Sequence, residues 1–419
     1  MLALKLMKVL IINTSERTGG AAIAAYRLLD ALHRYGVDAR MLVARKETDR
    51  ESVIQAAADW RYKAAFLLDR LWVFFHNGFS KRGLWDIDTA EVGVDITRMQ
   101  AYREADVIHL HWVNQGFLSL DTLDKIFHSG KRVVWTMHDM WPFTGICHYS
   151  NDCVGYRKHC GRCPQLHYGG NGDASNRVLR QKSRMLGGAK ISFVACSHWL
   201  EQQAQDSSML RQQRVTCISN ALPTDVFYPD SRVEARKRLG LPLKAKFILF
   251  ASMKVTDKRK GVDYLLEAAR LMEERYAEQC EGVAFLVMGQ HAEELRRRLR
   301  FPVYAMGYVS EASRVADIYR AADVFVTPSL QDNLPNTIAE AMGCGTPCVG
   351  FRTGGIPEMI DHEANGYVAQ LGDSGDLARG ILYVLEHPLL GEAAQHYAIY
   401  QYDPLRVAAQ YVAEYRRGE

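Results

Sequence analysis

The sequence lacks the features that mark membrane-spanning, secreted and nucleic-acid-binding proteins. No segment reaches the roughly 18 uninterrupted apolar residues of a membrane span. The net charge is only +4 and the pI is near 8.5, which is too weakly basic to indicate nucleic acid as a partner. Residues 1–8 hold two lysines, and the apolar Val9–Ile12 that follows is too short for the core of a secretory signal. We therefore expect a cytoplasmic protein with reduced thiols.

The length and the pattern of the chain predict two domains. At 419 residues it exceeds one ordinary core, while 24% charged residues and a mean hydropathy of −0.20 describe a globular protein. Strand-like and helix-like segments alternate in both halves, without an internal sequence repeat. This pattern predicts an α/β protein with two doubly wound parallel-sheet domains that face a cleft. The turn-rich Asn220–Pro229 is the predicted linker, between domains at 1–225 and 226–395.

Residues 322–361 carry the clearest functional pattern. Ala322–Thr327 is a predicted buried strand, and Asn336 is the predicted N-cap of the helix that follows. Asp332 lies in the loop between them and Glu340 lies about one turn into the helix. A helix N-terminus at the end of a parallel strand favours a diphosphate, and carboxylates accept hydrogen bonds from hydroxyls. A nucleotide sugar offers both groups, although a capped surface helix with two solvated acids would give the same pattern.

Two other loops carry features of a phosphate site. Four of the seven residues from Lys254 to Lys260 are cationic, between a predicted strand and a predicted helix. Such cations, together with helix amides, bind a diphosphate, although a charge run is often only a solvated face. Gly19 and Gly20 follow the first predicted strand, as in phosphate-binding turns, but two glycines alone are a weak signal.

Histidines end two further predicted strands. His109 lies near the end of the predicted strand Asp106–Leu110 and His111 follows it, while His138 follows the predicted strand Arg132–Thr136. A lone histidine is more often a satisfied core residue, but three at two strand ends favour the ligand-binding edge of the sheet.

The segment around Asp332 and Glu340 resembles the signature of the retaining glycosyltransferases of family 4, which have the GT-B fold with two Rossmann-like domains. In this chain the signature reads PSLxDxxxxxxxEAMxxGxP. The family has Glu where this chain has Asp332, so the side chain here is one methylene shorter, which bears on the sugar that is transferred. The resemblance is specific over residues 250–361 and loose before residue 140.

The resemblance implies a role for each matching residue. Glu340 would bind the donor ribose, Asp332 the transferred sugar, and Lys254 and Lys260 the phosphates. His138, and more weakly His111, would contact the sugar, and Tyr308 or Val309 would stack on the base. The implied catalytic residues are His138, Lys254, Lys260 and Asp332. The implied donor-binding residues are Gly19, Gly20, Lys254, Lys260, Asp332, Asn333, Leu334, Asn336, Thr337 and Glu340. A C-terminal helix, at 396–419, would cross back onto the first domain.

The implied reaction is transfer of a hexose from a nucleotide-diphosphate sugar, with UDP or GDP, to a glycan or a lipid-linked glycan. No cofactor is expected. The resemblance points to enzymes of bacterial exopolysaccharide synthesis of the colanic-acid type. Two alternatives stay open, a non-catalytic partner protein with the same fold and an epimerase or phosphorylase.

A cysteine-rich loop lies outside the resemblance. Cys147, Cys153, Cys160 and Cys163 have the spacing C-x5-C-x6-C-x2-C, which predicts a structural zinc site. Partial ligation with His148 or His159, or four free thiols, would also fit. The other five cysteines lie among apolar residues and are predicted to be core.

Residues 60–85 are rich in Trp, Phe and Leu and carry five basic residues against one acid, Asp69. Such a segment either lies on an anionic membrane, here the inner face, or packs on its domain with snorkelling Arg and Lys.

Overall fold

The structure, a computed structural model, describes residues 7–417. Residues 1–6, part of the segment that argues against a secretory signal, lie outside the described residues. The chain forms two compact units, Met1–Asn220 with Leu405–Glu419, and Ala221–Pro404. The boundary at Asn220 falls at the start of the turn-rich segment. Within residues 7–417, no helix is both long and apolar enough to cross a bilayer.

The first unit contains a seven-stranded, wholly parallel sheet in the order β3-β2-β1-β4-β5-β6-β7. Its central strands are apolar along their length because helices cover both faces of such a sheet. The strands are β1 (Lys8–Ser15), β2 (Asp38–Arg45), β3 (Val53–Gln55), β4 (Val107–Leu110), β5 (Arg132–Met137), β6 (Ile191–Ala195) and β7 (Val215–Cys217). The helices are α1 (Gly20–Arg34), α2 (Asp59–His76), α3 (Gln100–Glu104), α4 (Leu120–Phe127), α5 (Ala174–Met185) and α6 (His198–Asp206).

The second unit contains a six-stranded, wholly parallel sheet in the order β10-β9-β8-β11-β12-β13. The strands are β8 (Lys246–Lys254), β9 (Val283–Gln290), β10 (Val303–Gly307), β11 (Val324–Thr327), β12 (Cys348–Phe351) and β13 (Gly366–Ala369). The helices are α7 (Arg232–Leu239), α8 (Val262–Arg275), α9 (Glu293–Arg296), α10 (Ala312–Ala321), α11 (Asn336–Gly343), α12 (Ile356–Met359), α13 (Ser374–Glu386) and α14 (Leu390–Gln401).

Both faces of the second sheet are buried in separate cores. Along β8, Phe247 and Leu249 belong to one apolar cluster, and Ile248 and Phe250 belong to the other. This alternation follows from the two-residue period of a strand, and it requires helices on both faces. The predicted class, two doubly wound parallel-sheet domains, is confirmed.

The last helix, α15 (Pro404–Tyr415), packs in the first unit. The Tyr411 hydroxyl lies 2.9 Å from Thr136 Oγ1, and the Tyr415 hydroxyl lies 2.7 Å from His109 Nδ1. The returning segment is shorter than the 396–419 expected from the sequence. Residues 396–404 belong to the second unit. Pro404 separates α14 from α15, and α14 buries Ala398 in the core of the second unit.

Candidate active site

The predicted donor site of the second unit lies where its sheet changes direction. From β8 the chain builds outward through β9 and β10, and then returns to the other side of β8 with β11. The carboxyl ends of β8 and β11 are therefore the topological switch point, where open α/β sheets bind ligands. The loop 255–261 follows β8, and the loop 328–335 follows β11.

Gly261 joins these two loops. It has a φ of +71°, and a Cβ there would lie 1.8 Å from the Pro328 carbonyl oxygen. The N–H of Leu330 also donates to the Arg259 carbonyl at 2.8 Å. The turn after β8 thus touches the loop after β11 backbone to backbone, which only glycine permits.

Lys260 and Asp332 meet across this contact. Lys260 Nζ lies 2.5 Å from Asp332 Oδ2, and Arg259 Nη1 lies 3.7 Å from the same oxygen. Burial alone would raise the pKa of Asp332, but the charges of Lys260 and Arg259 outweigh it and hold that pKa below its ordinary value. Asp332 is therefore an ionised carboxylate between two cations. Arg259 was not among the predicted site residues, although it lies in the predicted charge run.

The backbone of Asp332 is held by the loop after β12. The N–H of Gly355 donates to the Asp332 carbonyl at 3.3 Å, and a Cβ on Gly354 would lie 1.7 Å from that oxygen. The N–H of Asn333 donates to Asp332 Oδ1 at 3.1 Å. The loops after three neighbouring strands of the sheet, β8, β11 and β12, therefore fix this carboxylate.

Glu340 lies on α11, the helix that follows the loop 328–335. It is 7% exposed, and the Tyr319 hydroxyl donates to Glu340 Oε2 at 3.0 Å. Burial and the Glu340 charge raise the pKa of Tyr319, so that hydroxyl keeps its proton and remains a donor. Nothing in the sequence around Tyr319, which lies on α10, indicated this role.

The start of α11 differs from the prediction. Pro335, not Asn336, is the N-cap, and no side chain caps the helix. The reason is local geometry, because Pro335 has the extended backbone of a cap and Asn336 is already helical. Asn333 is buried, while Leu334, Asn336 and Thr337 are half-buried along the loop and the first turn.

Lys254 lies at the end of β8 but is not joined to this group. Its side chain is exposed, and it forms no ion pair with any carboxylate in residues 7–417. Tyr308, at 57% exposure, and the half-buried Val309 follow β10 at the edge of the sheet. Their predicted contact with a base stays a prediction.

In the first unit, the glycine turn lies at the corresponding switch point, between β1 and β4. Gly19 has a φ of +100° and precedes α1, which begins at Gly20 without a side-chain cap. The turn is tied to the end of β2, because the Ser15 and Thr18 hydroxyls both donate to Glu47 Oε1.

The strand-end histidines form a buried row. His111 Nδ1 lies 2.9 Å from His138 Nε2, and His138 Nδ1 lies 3.6 Å from Cys196 Sγ. Burial lowers the pKa of His138 to about 4 and that of His109 to about 3, and it lowers the pKa of His111 as well. All three rings are therefore neutral at pH 7. His109 is a satisfied core residue, whereas His111 Nε2 is buried without a hydrogen-bond partner.

The zinc site predicted at the four cysteines of the loop at 147–163 stays a prediction, because no three of their sulfurs lie within 4.8 Å of one another in the structure. A zinc ion 2.3 Å from each sulfur would hold the sulfurs about 4 Å apart. In residues 7–417, the one group of three metal-ligating atoms within 4.8 Å of one another is His198, Glu201 and Cys217. His148 Nδ1 lies 2.7 Å from Asp139 Oδ2. The Gly155 N–H does donate to Cys153 Sγ at 3.5 Å, as in thiolate sites, so metal analysis of the purified protein decides this prediction.

Two family models match the chain. The model described as Glycosyltransferase Family 4 matches residues 18–226, and the one described as Glycosyl transferases group 1 matches residues 245–387. Together they leave out only residues 1–17, 227–244 and 388–419. The chain belongs to the family 4 glycosyltransferases. The predicted enzyme class is thereby confirmed, while the colanic-acid type is not part of what these models describe.

Relatives and solved structures agree with this family. D-inositol 3-phosphate glycosyltransferase 2 of Catenulispora acidiphila is 31% identical over 42% of this chain and 43% of its own length, so the chain matches less than half of that relative. Sucrose-phosphate synthase of Thermosynechococcus elongatus has a TM-score of 0.68 at 19% identity, with 98% of each chain covered. HepE of Anabaena, solved with UDP-glucose, has a TM-score of 0.63 at 17% identity, covering 97% of this chain and 99% of its own. These structures show that the fold is GT-B.

Proposed function

We propose that this protein transfers a hexose from a nucleotide-diphosphate hexose to a hydroxyl of a glycan or lipid-linked glycan, with retention of the anomeric configuration. The acceptor would belong to bacterial cell-surface polysaccharide synthesis. Retention and the acceptor class come from the family resemblance.

The observation that carries the proposal is the Lys260–Asp332 pair at the switch point of the second sheet. A departing diphosphate needs cations that are already in place, because preorganised charge stabilises a transition state more than charge that must be recruited. Lys260 and Arg259 supply this charge beside the uncapped start of α11. Asp332 keeps both cations in position until the donor diphosphate competes for them.

The neighbouring acids suit the neutral parts of the donor. Asp332 is ionised and accepts hydrogen bonds, as the hydroxyls of a transferred sugar require. Glu340, held by Tyr319, would accept hydrogen bonds from the ribose hydroxyls. We propose a UDP-hexose as donor, because HepE, with the same fold, was solved with UDP-glucose. GDP-hexoses are the competing donors.

The experiment is a donor panel with charge variants. Purified protein is incubated with UDP- and GDP-hexoses, and release of the nucleoside diphosphate is measured with and without a glycan acceptor. Lys260→Ala should lower kcat/KM for the donor about 100-fold or more. Lys258→Ala, an exposed lysine in the same turn, is the control and should change it less than about threefold.

Two results would contradict the proposal. Turnover that is equal in Lys260→Ala and Lys258→Ala would remove Lys260 from the site. If no donor binds or is turned over, the result would favour the alternative function, a non-catalytic partner protein with the same fold.

A further inference from the structure

The surface of the first unit built by α2 and the turn after it is apolar where a surface helix is usually polar. Eight of the 21 exposed large apolar side chains in residues 7–417 lie between residues 60 and 85. We call these eight the α2 patch. They are Trp60, Leu67, Leu68, Leu71, Trp72, Phe75, Phe79 and Trp85.

Helix α2 is turned so that two of its charged residues, Asp69 and Arg70, face the protein. Arg70 Nη2 lies 2.5 Å from Asp69 Oδ2 and 2.7 Å from Asp88 Oδ2, and all three residues are buried. The guanidinium also donates to the Leu84 carbonyl at 2.6 Å. The helix is thus fixed by a buried ion cluster, while its leucines and aromatics point outward. The snorkelling of Arg70 that the sequence allows is not what occurs.

The turn after α2 extends the same face. Asn77 is buried, and its side chain donates to the Arg82 carbonyl and accepts from the His167 N–H. This fixes Phe79 against Phe75, with ring centroids 5.2 Å apart, and Trp85 stacks on Phe66 at 6.2 Å. The α2 patch is therefore one ordered surface and not a set of loose side chains.

The charges around the patch indicate what covers it. Arg61, Lys63, Lys81 and Arg82 are exposed beside it, whereas the exposed acids of the segment are Asp59 and Asp86. Tryptophan, the largest interfacial anchor, supplies three of the eight residues. A second copy of the chain on this face would bring the basic residues together and be repelled. A bilayer with anionic headgroups takes up the apolar side chains and attracts the cations.

We propose that the α2 patch is a membrane-docking surface that binds the interface of an anionic lipid bilayer. Trp60, Trp72, Phe75 and Phe79 enter the interface, and the basic residues contact the headgroup phosphates. The α2 patch belongs to the first unit and the proposed donor site to the second, so docking and donor binding can be tested with different variants.

The test is co-sedimentation of the full chain with vesicles of phosphatidylcholine, alone or with about 30 mol % phosphatidylglycerol. We expect binding to the anionic vesicles to be at least about tenfold stronger, and to weaken with added salt. The triple variant Leu68→Gln/Trp72→Gln/Phe75→Gln should bind at least about tenfold more weakly. The matched control Leu243→Gln/Leu371→Gln/Leu389→Gln changes three exposed leucines of the second unit and should bind as the wild type does.

A charge variant, Arg61→Gln/Lys63→Gln/Lys81→Gln, keeps the test decisive if the apolar variant fails to fold. It should reduce binding to anionic vesicles to the level seen with phosphatidylcholine alone. Equal vesicle binding by wild type and both patch variants would overturn the proposal. So would a dimer, seen by analytical ultracentrifugation of the wild type, that the apolar variant abolishes without any vesicle binding by the wild type. UDP binding should be unchanged in all these variants, which separates a failed docking surface from a failed donor site.

Discussion

At the scale of single residues, the candidate site depends on one carboxylate that must stay charged while it is almost fully buried. Asp332 stays ionised because two cations and a backbone N–H face it, so its pKa lies below the ordinary value although burial opposes this. The family signature has Glu at this position, and the Asp332 side chain is one methylene shorter. The length of the side chain and its charge can therefore be separated by substitution.

Two substitutions at Asp332 test charge against reach. Asp332→Asn keeps the shape but removes the charge that positions Lys260 and accepts from the sugar, so kcat/KM for the donor should fall about 100-fold. Asp332→Glu keeps the charge, so most of the loss should be restored, with activity within about tenfold of the wild type. Initial rates with the best donor of the panel give both values. Equal losses in the two variants would mean that the charge is not what matters.

The sequence predicted some of these residues and could not predict others. Asp332, Lys260 and Glu340 lie within a signature with fixed spacing, so their places on loop, turn and helix followed from the pattern. The role of Tyr319 could not be predicted, because its hydrogen bond to Glu340 depends on how α10 packs beside α11. Lys254 lies in the same charge run, but it does not join the Lys260–Asp332 pair, and its predicted contact with the donor phosphates stays a prediction.

At the scale of elements, the turn between β8 and α8 is fixed by a close approach between backbones. Gly261 touches the Pro328 carbonyl, and the ion pair of Lys260 and Asp332 depends on that contact. Gly240 offers a comparison in the same unit, since its φ is +67° but nothing lies within 4 Å of an added Cβ.

Gly261→Ala and Gly240→Ala should therefore differ. Both place alanine in the left-handed region, which costs about 1–2 kcal/mol. Gly261→Ala also forces the turn away from Pro328, so its total cost should reach about 3 kcal/mol or more, with a loss of donor binding. Urea unfolding followed by circular dichroism, with UDP titration of the folded variants, measures both effects. If the two variants are equally stable and both bind UDP, the contact does not hold the site.

Helix α2 shows why an element can be predicted while its orientation cannot. The aromatic and basic composition of residues 60–85 indicated a helix with two alternative surroundings. The partner that holds Arg70 inward is Asp88, which lies beyond the helix and reaches Arg70 only in the folded unit. A helical period cannot reveal a counter-charge that tertiary structure supplies.

At the scale of the whole molecule, the end of the chain completes the first unit. Tyr415 bonds to His109, and Arg132 Nη2 donates to the Glu414 carbonyl at 2.8 Å. These contacts join residues 306 and 282 positions apart, which is why the return of the helix could be predicted only through the family resemblance. Tyr411 and Tyr415 of α15 also pack on His109, so the burial that keeps that ring neutral depends on α15 packing beside β4.

The neutral histidines predict that the first unit loses stability in mild acid. A buried histidine with a lowered pKa stays neutral when folded, whereas the unfolded chain takes up a proton below about pH 6.5. Stability is therefore constant with respect to these groups above pH 6.5, and it falls as the pH drops towards about 4. Asp69 acts in the opposite direction, because burial and Asp88 raise its pKa to about 7. His148 acts in the same direction as Asp69, because burial is outweighed by the Asp139 carboxylate, which raises the pKa of that ring. The three histidines with lowered pKa outweigh both groups, and we expect a net loss on the order of 2–4 kcal/mol between about pH 6.5 and 4.5.

Tryptophan fluorescence can follow this unit by itself, since all seven tryptophans lie in it. Urea unfolding is measured from about pH 8 to 4.5, and the ordinary carboxylates that titrate in the lower part of this range are common to the wild type and the variant below. His109→Gln, which keeps two hydrogen-bonding groups but cannot be protonated, should lose about 1–3 kcal/mol less than the wild type over the same range. If the wild type and His109→Gln lose stability in parallel, the buried row is not the source of the acid sensitivity. The difference between the two chains cancels Asp69, because that carboxyl is present in both.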